Sequence, residues 1–172
     1  GYGGYNYNPK YWTEVVKDFV SYYKLDKKAR ILDVGCGKGF MLYDFKKQFP
    51  NISIHGIDIS EYAIENSLEE VKKNLKVGSC DNIPFPDKYF DLVISINTIH
   101  NLDKDGCAQS LKEICRVSKK YKFIIVDAYS NDEEKKRMYA WNLTAKTIMH
   151  EKNWINFFKE NNYDGDYFWF TP

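Results

Sequence analysis

Between residues 33 and 39 the chain reads Asp-Val-Gly-Cys-Gly-Lys-Gly, which sets Gly35, Gly37 and Gly39 at alternate positions. Glycine lets a backbone turn tightly and lets a ligand approach its amides closely. An ordinary strand-to-helix turn needs one glycine at most, so three point to a bound group, and nucleotides are what such loops hold. The spacing separates the kinds of nucleotide site. The dinucleotide fingerprint G-x-G-x-x-G would put its last glycine where Phe40 stands, and G-x-x-x-x-G-K-[ST] needs neighbours that Lys38 lacks. What remains is G-x-G-x-G behind the acidic Asp33. About 20 residues further on, Asp58 ends an apolar run, where a carboxylate can accept hydrogen bonds from both hydroxyls of a ribose. Two more residues could move a proton. His100 follows an apolar run, and a neutral imidazole can take a proton from a hydroxyl or an amine. A structural place after a strand would suit it equally. Asp127 ends the next apolar run and is the second candidate base.

These residues need strands to present them. Arg30 to Val34, Ile52 to Ile57, Asn74 to Gly78, Phe90 to Asn97 and Tyr121 to Ala128 read as strands, and the aromatic run Tyr167 to Phe170 as one more. Between them lie helical stripes. Asn8 and Pro9 read as a cap and first residue of a helix over 9–24 carrying Trp12, Val16, Phe19 and Tyr23. Phe40 to Phe49 ends at Pro50. Ser60 caps a helix carrying Ala63, Ile64, Leu68 and Val71, and Leu111 to Val117 marks another. Residues 132–162 read as helical, broken near His150, with Trp141, Trp154 and Phe157 on core stripes. His55 falls within a strand and is expected to pack. Strands alternating with helices predict a parallel sheet with right-handed crossovers, and ligands bind such sheets beyond the strands' carboxyl ends. The chemistry then belongs in the loops at Gly35, Asp58, Ser79, Asn97 and Asp127.

Asp33-Val34-Gly35-Cys36-Gly37-Lys38-Gly39-Phe40 resembles the first motif of the class I S-adenosylmethionine-dependent methyltransferases. The likeness continues at Gly56-Ile57-Asp58-Ile59-Ser60, at Gly78-Ser79-Cys80-Asp81-Asn82-Ile83-Pro84-Phe85-Pro86-Asp87 and at Phe90-Asp91-Leu92-Val93-Ile94-Ser95, in family order across most of residues 30–128. It implies an α/β fold, a three-layer α/β/α sandwich with a Rossmann-like, mostly parallel sheet. It also implies S-adenosylmethionine as cofactor, S-adenosylhomocysteine as product, and direct transfer of a methyl group to a small-molecule or sugar acceptor. Residue by residue, Asp58 would hold the ribose, Ile59 cover one face of the adenine, and Asp33 help hold the cationic methionine end. Gly35, Gly37, Gly39 and Asn97 join the cofactor-binding set. The family often has Gly-Asp-Ala where this chain has Gly78-Ser79-Cys80. Either Ser79 or Asp81 is left to take the adenine-binding aspartate's place, with the Cys80 amide reaching the ring. The family commonly puts substrate-facing residues where His100 stands, opposite the methyl, and Asp127 remains the second candidate base by its place at a strand end. Asn97-Thr98-Ile99-His100 departs from the Asn/Asp-Pro-Pro-aromatic motif of DNA amino-methylases. The family's sheet usually closes with two further strands in an antiparallel hairpin. Only Asp166 to Thr171 is at hand for that, which predicts a shortened sheet with an exposed edge and, through it, a homodimer. Two other readings stay open: an inactive cofactor-binding partner subunit, and an enzyme using the same cofactor for other chemistry.

The composition narrows the setting. The 172 residues are expected to form one cofactor-binding domain, with residues 1–8, including Tyr2, Tyr5 and Tyr7, as a flexible arm or lid. Lys and Arg number 25 against 24 Asp and Glu, so neither nucleic acid nor an anionic membrane is expected as partner. No apolar run reaches the roughly 20 residues that span a bilayer. Cys36, Cys80, Cys107 and Cys115 form no C-x-x-C pair, so no metal site is expected, and the thiols read as buried in a reducing, cytoplasmic compartment.

Overall fold

The computed structural model describes residues 6–172. In chain order the elements are α1 (Pro9–Tyr22), β1 (Arg30–Val34), α2 (Phe40–Gln48), β2 (Ser53–Asp58), α3 (Glu61–Glu65), α4 (Glu69–Lys72), β3 (Leu75–Val77), β4 (Phe90–Ile96), α5 (Lys104–Val117), β5 (Ser118–Tyr129), α6 (Asp132–Trp141), β6 (Met149–His150), α7 (Glu151–Glu160) and β7 (Asp166–Phe170). The sheet runs β3-β2-β1-β4-β5-β6, with β7 also paired to β5. Every described strand pair is parallel.

Alternation along the strands builds the two outer layers. Leu32, Val34 and Val93 face one side and pack with Leu111 and Ile114 of α5 and Trp154 of α7. Ile31, Leu92 and Ile94 face the other and pack with Val16 and Phe19 of α1 and Leu42 and Phe45 of α2. Successive strand side chains point to opposite faces, so near-continuous apolar runs are what a sheet covered on both sides requires. This is the three-layer α/β/α sandwich expected.

Asn8 caps α1, its side chain accepting from Lys10 N, with Pro9 at the first turn. The direction of α1 matters for function. Its Tyr23 end packs on Tyr121 of β5, at 4.8 Å between ring centroids, and the Tyr23 hydroxyl donates to Asp166 at 2.8 Å. Phe19 packs on Phe123, two residues further along β5, at 5.1 Å. The helix therefore runs opposite to the strands and brings its first turn to their carboxyl ends. There the Tyr7 hydroxyl (2.8 Å) and Thr13 hydroxyl (3.2 Å) both donate to Asp44 of α2. Tyr7, expected in a flexible arm, is thus docked, its ring against Tyr43 at 4.9 Å. Tyr2 and Tyr5 of that arm lie outside the described residues.

Two expectations are corrected. The stretch after Ser60 is two short helices, α3 and α4, because Asn66 to Leu68 leaves the helical path between them. The helical reading of 132–162 covers only α6 and α7, with 142–150 outside any helix, and Trp141 is half exposed against Phe170 instead of being core. No antiparallel closing strand occurs among the described residues. The last strand, β7, instead pairs directly with β5, from Phe123↔Asp166 to Asp127↔Phe170. It leaves Phe168 64% exposed on the sheet's edge. Among the described residues no helix is long and apolar enough to cross a membrane.

Candidate functional site

The glycine loop is folded back over the end of β2. The amides of Gly35 and Cys36 both donate to the Ile57 carbonyl, at 2.8 and 2.9 Å. Gly35 has φ +84°, and a Cβ there would lie 2.0 Å from the Thr98 hydroxyl oxygen, so only glycine lets the loop close against the segment after β4. Gly37, at φ +52°, has open space where a Cβ would point. The Gly37 amide donates to Asp58 Oδ2 at 2.8 Å, and the Ser60 amide to Oδ1 at 2.9 Å. The carboxyl group of Asp58 is therefore held in place before any ligand arrives, with lone pairs left on both oxygens.

Beyond the carboxyl ends of β1, β2 and β4 lies a cavity of about 420 Å³, within the roughly 300–1,000 Å³ of small-molecule sites. Of the expected site residues, Asp33, Gly35, Gly37, Asp58, Ile59, Ser79, Cys80 and Asn97 line it. Ile59 is 72% exposed, an apolar side chain left on the rim for a ligand to cover. The Ser79 hydroxyl donates to Asp81, which itself does not line the cavity. Of the two residues left for the adenine-binding place, Ser79 is the one on the wall. Gly39 is also off the wall; a Cβ there would strike Leu75 and Val71 at 2.9 Å, so it serves packing. Asp33 is 5% exposed, and burial, followed by the Asp58 charge, pushes its carboxyl up to about 8.

The two expected bases are elsewhere. His100 sits in the short 3-10 turn Ile99–Asn101, is buried, and does not line the cavity. Its Nδ1 accepts from the Asp127 amide at 3.1 Å, which leaves the other ring nitrogen to carry the proton, 3.6 Å from Asp127 Oδ2. Burial holds the ring down at about 4. With Nδ1 accepting from that amide and the proton on the other nitrogen, the ring turns no lone pair towards the cavity in this geometry. Asp127, 2% exposed and pushed up to about 6 by burial, is likewise off the wall. The remaining histidines do structural work. His55 packs against Phe85 and Phe90, and His150 caps α7, its Nδ1 accepting from the Lys152 amide.

The cavity also has walls that the sequence reading assigned to the core or passed over. Trp12 of α1, Phe40 and Met41 at the start of α2, and Asn101 and Leu102 after β4 line its β1–β4 side. Their signal was position: each follows a strand end or, for Trp12, opens a helix aimed at the strands' carboxyl ends. The residues present fit the expected S-adenosylmethionine. Asp58 is oriented for a diol, Gly37 leaves a cradle that a Cβ would fill, and the buried acidic Asp33 faces the place for a cation.

A family model described as a methyltransferase domain matches residues 25–163. The methyltransferase YdaC of Bacillus subtilis is 36% identical over 84 residues, covering 46% of this chain and 46% of YdaC. The ubiquinone/menaquinone biosynthesis C-methyltransferase UbiE of Geotalea uraniireducens is 37% identical over 100 residues, covering 53% of this chain and 41% of UbiE. The chain thus spans less than half the length of these curated relatives. In the solved complex of the Haloferax volcanii Trm112 methyltransferase activator with a methyltransferase, a chain matches with TM-score 0.71 and 18% identity, over 89% of this chain and 69% of that one. At that identity the likeness is one of fold.

Proposed function

This chain belongs to the methyltransferase-domain family, of the class I S-adenosylmethionine-dependent kind, and on that premise we propose that it transfers a methyl group to a small-molecule acceptor. The observation that carries the reading is the cavity: one pocket, at the strands' carboxyl ends, whose wall pairs a pre-oriented Asp58 with a glycine floor and the buried Asp33. When bound, the cofactor supplies a methyl group on a positively charged sulfur, an electrophile whose leaving group is neutral. Asp58 takes the ribose hydroxyls, Ile59 covers the adenine, Ser79 and the Cys80 amide meet its edge, and Asp33 with Asn97 holds the amino-acid end. The chain's contribution is then chiefly positioning and exclusion of water, which can supply much of the rate of such a transfer. A near-neutral charge balance supports a small acceptor over nucleic acid.

The test is incubation with S-adenosylmethionine and a metabolite pool, reading S-adenosylhomocysteine and any metabolite gaining one methyl by mass spectrometry. Binding without turnover would replace the enzyme by an inactive cofactor-binding partner subunit. That second reading draws support from the three histidines, none of which opens onto the cavity. Consumption of the cofactor without S-adenosylhomocysteine would point to other chemistry. The exposed aromatic edge of β7 supports association of two copies, which sedimentation equilibrium would read.

A further inference from the structure

We propose that the indole N–H of Trp12 donates to the cofactor's α-carboxylate, so that Trp12 selects ligands carrying the complete amino-acid end. The inference deepens the cofactor reading above and rests on it. It starts from two buried polar atoms. Trp12 and Asn97 both line the cavity, and Trp12 Nε1 and Asn97 Oδ1 are buried with no hydrogen-bond partner among the described residues. An indole nitrogen only donates, so the group that completes Trp12 must be an acceptor. A buried donor left without one costs free energy comparable to a lost hydrogen bond, and buried indoles ordinarily find a partner. Trp154 does so in this chain, its Nε1 donating to the Asp127 carbonyl at 2.9 Å.

The place of Trp12 is built into the fold. Tyr7 before it and Thr13 after it both donate to the buried Asp44, at 2.8 and 3.2 Å, and Gln48 Nε2 donates to the Thr13 carbonyl at 3.1 Å. The ring itself packs on the core beneath α1 and α2. Because α1 runs antiparallel over β5, with Phe19 on Phe123 and Tyr23 on Tyr121, its first turn meets the cavity on the β4–β5 side. Ile59, just past the end of β2, stands on the other side, since β1 and β4 lie between β2 and β5 in the sheet.

Charge then sorts the two groups of the amino-acid end. With the nucleoside along Asp58 and Ile59, that end reaches Asp33 of β1 and Asn97 after β4. The Asp33 carboxylate and Asn97 Oδ1 are acceptors, and both suit the ammonium. The carboxylate needs donors and is repelled by Asp33 and Asp58. Lys38 holds its ammonium over the Tyr62 ring, 5.6 Å from its centre, on the Ile59 side of the cavity. Trp12 Nε1 supplies a donor on the opposite side. It is shielded in the ligand-free protein, so the bond forms as the ring turns on binding.

The experiment uses the full chain and two probes. One is S-adenosylhomocysteine; the other is its decarboxylated analogue S-adenosyl-3-thiopropylamine, which keeps the amine and lacks the carboxylate. By calorimetry the wild type should bind the analogue about tenfold or more weaker, the order expected for a hydrogen bond to a charged group. Trp12→Phe keeps an aromatic ring and removes only the indole donor. It should weaken S-adenosylhomocysteine about tenfold or more and the analogue by no more than about twofold. A second measurement does not depend on the variant folding. In proton–nitrogen correlation spectra of the wild type, the Trp12 indole resonance, one of four and assigned through the backbone, should move downfield with S-adenosylhomocysteine and not with the analogue. Equal wild-type affinity for the two probes would overturn the proposal, as would equal losses for both in Trp12→Phe or an indole resonance that S-adenosylhomocysteine leaves in place. Failure of the wild type to bind S-adenosylhomocysteine at all would strike the cofactor reading itself.

Discussion

Asp33 should couple cofactor binding to release of a proton. Its carboxyl is almost fully buried beside Asp58, and burial first, then the Asp58 charge, raises it to about 8. At pH 7 a group with that value is about ten times more often protonated than ionised. The cofactor's amino-acid end carries an ammonium, and a cation beside Asp33 favours the ionised form. Binding at pH 7 should then release about 0.9 proton from this residue. By the same linkage affinity rises with pH while the free carboxyl is protonated. The gain is about ninefold from pH 6 to 7, about fivefold from 7 to 8 and less than twofold from 8 to 9, with Asp33 ionised throughout in the complex. Calorimetric titration of S-adenosylhomocysteine in phosphate and in Tris at pH 7 measures the proton directly, because the apparent enthalpy differs by the buffers' ionisation heats times the protons released. Asp33→Asn keeps the shape and removes the titration, so the buffer difference should collapse and the affinity profile flatten. The ligand's own amino group is unchanged in the variant and serves as the internal control. Equal enthalpies in the two buffers, with flat affinity from pH 6 to 8 in the wild type, would refute the argument. Folding carries the opposite sign. The raised carboxyl favours the folded state most at low pH, and that contribution is lost as pH rises from about 4 to about 8, so ligand-free Asp33→Asn should melt higher than wild type near pH 8.

Asp58→Ala removes the carboxylate that the Gly37 and Ser60 amides orient, and charge-assisted hydrogen bonds are worth about 1.5–3 kcal/mol each, so S-adenosylhomocysteine affinity should fall at least tenfold by calorimetry in a variant that still melts cooperatively. Gly35→Ala should lower the melting temperature of the ligand-free protein, and Thr98→Ala should rescue only part of the loss, because relieving the 2.0 Å clash leaves φ at +84°. Full rescue would mean that the clash alone mattered. His100→Ala should act on stability. Losing the bond to the Asp127 amide and opening a buried hole costs about 3 kcal/mol, or a melting temperature lower by about 6–12 °C, with cofactor affinity unmoved. Because burial holds His100 at about 4, below its unfolded value, wild-type stability should fall as pH drops from about 6.5 towards 4, and the variant should lose that slope.

Much of the frame was legible because backbone needs leave residue-type signatures. A glycine at φ +84° and an apolar strand covered on both faces can each be read from residue types at fixed spacing, and so β1, β2, β4 and the loop at Gly35 fall where the pattern puts them. Side-chain direction in short irregular turns leaves no such signature. His100 stands at the expected place after β4, yet the turn Ile99–Asn101 points its ring inward, where the Asp127 amide engages it. Trp12 failed in the opposite sense. Its helical spacing with Val16 and Phe19 is real, and that stripe is core. What periodicity cannot express is which end of a helix meets which end of the sheet. That is decided by pairing across more than a hundred residues, such as Phe19 on Phe123 and Tyr23 on Asp166. Those contacts turn the first residue of a core stripe into a wall of the cavity. The part of the cavity built around Gly37 and Asp58 is therefore local in sequence, while the side that Trp12 closes is assembled from distant elements.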